Sequence, residues 1–152
     1  MSITVSSPSA LADAIGATAT GEWFEISQER IAAFADATED WQWIHLDAER
    51  AASGPFGATI AHGYLTLSLL PRLCSGLLEV DGVAMRVNYG LDRVRFLQPV
   101  RAGSRVRATI ELISAEQTAQ GVRAVLRTVV ELEGSSRPAL AADSIGLFVP
   151  AS

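Results

Sequence analysis

The pattern of apolar and polar positions divides the chain near Asp81-Gly82. Before that point the apolar residues recur at helical spacing or run together; after it they recur at every second position. Residues 9–15 read as a short helix ended by Gly16, and residues 21–26 as a short extended segment. Ser27 offers an N-cap oxygen, and Glu29 puts a negative charge in the first turn, where the helix dipole favours it. Ile31, Phe34 and Ala35 follow at helical spacing, so an amphipathic helix is expected over residues 27–38. Residues 39–44 show no period. Asp47 offers a cap for a short helix over residues 48–52, and Gly54-Pro55-Phe56-Gly57 enforces a loop. Residues 62–80 are the most apolar helix candidate: Tyr64, Leu65, Leu67, Leu69, Leu70, Leu73, Leu77 and Leu78 cover nearly every side. Such a helix is buried all round, and Pro71 should bend or break it.

Beyond Gly82 the strands follow one another. Val83, Met85, Val87 and Tyr89 alternate with polar or small residues, as do Val94 and Phe96, and Val106, Ala108, Ile110 and Leu112. Residues 122–132 are rich in β-branched side chains, and residues 140–149 form a last strand. Turn signals fall at Gly90-Leu91-Asp92, at residues 99–103, at Gln120-Gly121 and at Glu133-Gly134-Ser135. This predicts an antiparallel sheet with one face buried. A buried helix followed by such a sheet points to an α+β architecture, the sheet wrapped around the helix.

No repeat or low-complexity linker interrupts the 152 residues, so residues 1–152 are expected to form one domain. Hydrophobic residues make up 49%, enough for a substantial core. The net charge of −5 argues against nucleic acid as a partner, although all twelve basic residues are arginine and a local basic pocket stays open. Cys74 is the single cysteine, so no internal disulfide forms, which suits a reducing compartment. The first residues lack the pattern of a signal peptide, and the apolar run 64–80 is broken by Arg72, Ser75 and Gly76. A soluble cytoplasmic protein with no membrane partner is expected.

The only two histidines, His45 and His62, lie between the first amphipathic helix and the apolar helix, and Asp40 precedes His45 by five residues. On a continuous helix five residues turn through roughly 500°, which leaves the two side chains about 140° apart. They converge only if residues 39–44 form a turn. A carboxylate and an imidazole that share one water can polarise it. Equally, Asp40 reads as an N-cap or solvated loop residue and His45 as a half-buried histidine with its bonds satisfied. Trp41 and Trp43 flank the pair, either as packing aromatics or as a shield for a substrate. Gly63 stands where the apolar helix begins. There, unpaired amides face outward and can stabilise a developing oxyanion, or the glycine simply permits tight packing. Arg86, Arg93, Arg95, Arg101, Arg105 and Arg107 are either phosphate ligands or the solvated face of strands. Two histidines and one cysteine at unrelated spacing make no recognisable metal site. No P-loop, dinucleotide fingerprint or nucleophile elbow is present.

Phe34-Ala-Asp-Ala-Thr-Glu-Asp40-Trp-Gln-Trp-Ile-His45 resembles the hydratase motif of MaoC-like dehydratases, the (R)-specific enoyl-CoA hydratases: an aromatic residue, Gly-Asp, Asn-Pro, an aliphatic residue and His. Gly54-Pro-Phe-Gly57 and Ile60-Ala-His-Gly63 resemble the family's loop and central-helix start. The run from Asn88 through Phe96 with Pro99-Val100 and Gly103 resembles its strand region. The likeness spans roughly residues 20–150 and is nearest to the NodN-like branch. It implies a hotdog fold, an antiparallel sheet wrapped around a long central helix, usually as a homodimer. It further implies reversible hydration of a trans-2-enoyl thioester of coenzyme A or acyl carrier protein to the (R)-3-hydroxyacyl form, with no cofactor and no metal. By the same resemblance Asp40 and His45 are catalytic, with Asp40 as base. Gly63 donates to the thioester carbonyl, and Gln42, His62, Arg93 and Arg95 contact substrate. Two departures stand out: Glu39 replaces a frequent Gly, and Gln42-Trp43 replaces Asn-Pro. A non-catalytic thioester-binding subunit and a thioesterase are the alternatives, since one fold hosts several chemistries.

Overall fold

A computed structural model describes all 152 residues. A 3-10 helix, Pro8–Ala14, starts where the Ser7 side chain accepts a bond from the Ala10 amide, and Gly16 at φ 91° ends it. Helix α1, Gln28–Thr38, begins with Ser27 accepting from the Arg30 amide and buries Ile31 and Ala35. Helices α2, Trp43–Leu46, and α3, Ala48–Ala52, meet at Asp47, whose carboxylate accepts from the Arg50 amide. The starts of α1 and α3 fall where the caps Ser27 and Asp47 placed them, whereas α2 lies in a stretch without period and has no side-chain cap.

The expected helix over residues 62–80 is shorter and broken. Helix α4, Gly63–Ser68, and helix α5, Leu70–Leu73, are separated at Leu69. Pro71 has no amide to bond back to Leu67, which is the expected break. Gly76 at φ 74° then turns the chain into strand β4, Leu78–Val80, which pairs in parallel with β1, Ile3–Val5. The far end of the apolar run is thus a strand, because an all-round apolar segment carries no period that separates a buried helix from a buried strand.

The main sheet has the order β2-β6-β7-β8-β5, formed by Thr18–Thr20, Arg105–Gln117, Val122–Leu132, Leu140–Pro150 and Val83–Phe96; β3, Phe24–Glu25, also pairs with β6. All its pairings are antiparallel. Its inner face presents Val106, Ala108, Val130, Leu140 and Ala142 to Leu65, Leu69, Leu70 and Leu73 of the central helices, with Ile26 and Ile31 closing the cluster. This is the hotdog arrangement, with a sheet wrapped around a helical core that is two short segments instead of one long rod.

Strand β5 departs from expectation twice. Gly90-Leu91-Asp92 is no turn: the strand runs unbroken for 14 residues, and register shifts at Asn88/Gly90 and Asp92/Arg95 absorb the turn-forming residues, with Arg93 at φ 53°. Nor is its apolar row buried. Strand β5 is the sheet edge, paired only with β8, and Met85 and Tyr89 are 57% and 60% exposed.

Candidate active site

Helix α1 delivers Asp40. It ends at Glu39, whose left-handed backbone (φ 59°) reverses the chain, and the Asp40 amide closes the helix onto the Ala35 carbonyl at 3.1 Å. One Asp40 carboxylate oxygen accepts from the Gln42 amide at 3.4 Å. Gln42 is the N-cap of α2, which carries His45. A turn between two helices therefore replaces the continuous helix that would have kept residues 40 and 45 apart.

His45 is 6% exposed. Its Nδ1 lies 2.7 Å from the Ile60 carbonyl. A carbonyl only accepts, so Nδ1 carries the proton and Nε2 keeps a bare lone pair. The His45 carbonyl accepts from Gln28 Nε2 at 2.8 Å, and the Gln28 side-chain oxygen accepts from Thr59 Oγ1. The first residue of α1 thus holds His45 while the chain leaving its last turn supplies Asp40. Burial pushes the His45 pKa down, opposed by the bond to Ile60; nearby His62 lowers it further, and the Asp40 charge raises it.

His62, 3% exposed, lies against this pair. Its ring stacks on His45 at 3.7 Å between centroids and 22° between planes, and its Nε2 is 3.0 Å from the Asp40 carbonyl. A carboxylate oxygen of Asp40 and ring nitrogens of both histidines lie within 4.8 Å of one another. Spacing alone did not reveal this three-residue cluster. A single water bonded to two acceptors at ordinary lengths spans about 4.5 Å between them, so the separation suits a shared water. It does not suit a cation. Zinc needs each imidazole lone pair aimed at it from about 2.1 Å, in the plane of the ring. Two nearly parallel rings 3.7 Å apart share no such point.

Asp40 is exposed and borders an open cleft of about 460 Å³, whose other walls are Phe34 and Thr38 of α1 and Tyr64, Leu67 and Ser68 of α4. Gly63, the first residue of α4, has an amide with no acceptor within the helix. The six-residue length of α4 reduces the dipole contribution expected there, which leaves the amide itself as the donor. A Cβ at this position would sit 3.0–3.2 Å from the Phe96 ring, so any larger residue fits only if that ring gives way by a few tenths of an ångström.

The side chains of the remaining candidates are not part of the cleft lining. Gln42 is exposed and its side chain makes no cap bond. Arg93 and Arg95 are exposed near the end of β5, outside the cleft lining, and Arg95 donates to the Val94 carbonyl. Arg105 and Arg107 pair with Glu133 and Glu131, the behaviour of a solvated strand face. Trp43 packs under the Arg50 guanidinium at 4.1 Å, whereas Trp41 is 54% exposed and donates to Asp36. The Cys74 thiol is pushed up to about 11 by burial, which removes it as a nucleophile near neutral pH. Sequence reasoning missed Gln28, Thr59 and Phe96. Only the i, i+4 spacing of Phe34 and Thr38, running into Asp40, hinted at which face of α1 lines the cleft.

Comparison with known proteins bears on this geometry. The model of the MaoC-like domain family matches residues 11–134. The 3-hydroxyacyl-thioester dehydratase Z of Mycobacterium tuberculosis is 55% identical over 129 residues, 84% of this chain and 85% of that protein. Nodulation protein N of Rhizobium leguminosarum bv. viciae is 47% identical over 130 residues, 84% of this chain and 81% of that protein. The solved (R)-hydratase of A. caviae superposes with a TM-score of 0.69 at 25% identity, covering 88% of this chain and 96% of that one.

Proposed function

Because the chain belongs to the MaoC-like domain family, we propose that it adds water across the trans-2 double bond of an enoyl thioester and catalyses the reverse dehydration of the (R)-3-hydroxyacyl thioester. The single observation that carries this reading is the approach of the Asp40 carboxylate and an imidazole nitrogen of His45 to a separation that one water bridges. The name and the 55% identity of the mycobacterial dehydratase support the substrate class.

The residues divide the work as follows. The water gives one O–H to the Asp40 carboxylate and the other to His45 Nε2, the ring nitrogen left bare by the bond to Ile60. Asp40 takes its proton as the water oxygen bonds to C3. The π electrons move through C2 to the thioester oxygen, which the Gly63 amide stabilises. Asp40 then returns its proton to C2, and H and OH have been added. All electrons stay within the substrate, so the sequence of steps requires no redox partner. The thioester is carried by coenzyme A or acyl carrier protein, and His62, Gln42, Arg93 and Arg95 are the remaining candidates for contact with it. A cytoplasmic setting fits a chain with one cysteine.

We also place a second copy of this chain along β5, as a homodimer. The apolar row Met85, Val87, Tyr89 and Leu91 is exposed on an unpaired strand edge.

Asp40→Asn tests the chemistry. It should lower the turnover of crotonyl-CoA hydration by about three orders of magnitude while leaving the melting temperature within a few degrees. Wild-type turnover in this variant refutes the mechanism, and free thiol release in place of hydration would make the protein a thioesterase.

A further inference from the structure

His62 is the member of the Asp40–His45–His62 cluster to which the hydration chemistry assigns no proton. Its Nε2 faces the Asp40 carbonyl at 3.0 Å. That oxygen only accepts, so Nε2 bears hydrogen, and in the neutral ring Nδ1 holds a bare lone pair. This Nδ1 is buried and without a partner. A phenylalanine would fill the same space with no unpaired polar atom, so packing alone gives no reason for an imidazole here. The nitrogen that is used ties down Asp40. The other bonds of Asp40 are the amide to Ala35 and a long 3.4 Å contact from Gln42 to its carboxylate. His62 itself is firmly held: its carbonyl accepts the amides of Leu65 and Thr66, its ring stacks on His45, and Phe34 lies at 5.0 Å.

We infer that His62 is a positioning residue for the reaction. Through Nε2–H it fixes the Asp40 carbonyl to the start of α4, and through its ring face it backs His45. The carboxylate, the imidazole and the Gly63 amide then keep one mutual geometry. This role is separate from the substrate contact that the resemblance implies for His62, and it rests on the hydration reading above. A displacement of about 1 Å in such a site costs about 100-fold in rate.

Two substitutions split the two contacts. His62→Phe keeps the ring face and loses the donor; His62→Gln keeps a donor near the Nε2 position and loses the face. With crotonyl-CoA, His62→Phe should lower kcat about 100-fold and leave KM within about threefold, and His62→Gln should restore kcat to within about tenfold of wild type. In the wild-type protein, nitrogen NMR of the two imidazoles should show hydrogen on Nε2 of His62, directed at the Asp40 carbonyl. Wild-type kcat in His62→Phe, or a bare Nε2 on His62, overturns the inference; if His62→Phe does not fold, the tautomer decides. Asp40→Asn keeps the two failures distinct. If it is inactive while His62→Phe is fully active, hydration stands and positioning falls; if it is fully active, the hydration reading falls.

Discussion

His45 is buried while Asp40 is exposed, and the difference has a consequence for pH. Burial, with a smaller contribution from His62, sets the His45 pKa below its ordinary value. The unfolded chain therefore binds a proton at this residue more readily than the folded chain does. The stability linked to neutral His45 is fully present above the unfolded pKa of about 6.5 and is lost as pH falls below that value through the folded one. Urea midpoints measured from pH 7.5 down to 5.0 should fall, and His45→Gln should fall less over the same range. An equal fall in both proteins would show that His45 contributes nothing to the acid sensitivity. The neutral form is also the one that leaves Nε2 free to accept from water, so the stable pH range and the working protonation state coincide.

At the level of elements, α1 frames the site from both ends, with Gln28 holding the His45 carbonyl and Asp40 following the last turn. The transition between them passes through Glu39 in the left-handed region, where a side chain costs about 1 kcal/mol and glycine does not. That conformation explains why glycine is frequent here in the resembling motif. Glu39→Gly should raise stability by about 0.5–1 kcal/mol, seen as a melting temperature higher by a few degrees, with hydration turnover unchanged because the backbone path is the same. A fall in melting temperature would mean that the Glu39 side chain contributes more than its backbone costs. The helices α4 and α5 illustrate the opposite relation: Leu65, Leu69, Leu70 and Leu73 are buried in the core while Tyr64 faces the cleft, and their length is set by Pro71 and Gly76.

On the scale of the molecule, β5 is long, unpaired on one side and carries the exposed apolar row Met85, Val87, Tyr89 and Leu91, with its charges and register shifts gathered mainly toward its end. Such edges pair with another chain unless charge or distortion prevents it. The wild-type chain should elute as a species of twice 16.1 kDa, and Val87→Lys, which puts a charge in the middle of the edge, should elute as the 16.1 kDa monomer. Light scattering coupled to size exclusion distinguishes the two, and a monomeric wild type would remove the proposed dimer.

Local rules were legible in the sequence because they depend on neighbours in the chain. Ser27 and Asp47 as caps, the period-two strand β6, the β-branched strand β7, the break at Pro71 and the turn required between Asp40 and His45 all follow from residues a few positions apart. The motif from Phe34 to His45 also carried the family likeness. Tertiary structure alone decided the rest. It stacked His62 on His45, aimed His45 Nδ1 at Ile60, set Phe96 against Gly63 and left β5 uncovered. Those contacts join residues 15 to 33 positions apart or, for β5, depend on a place at the sheet edge. Periodicity states which residues prefer to leave water, and only the packed chain determines which surface covers them.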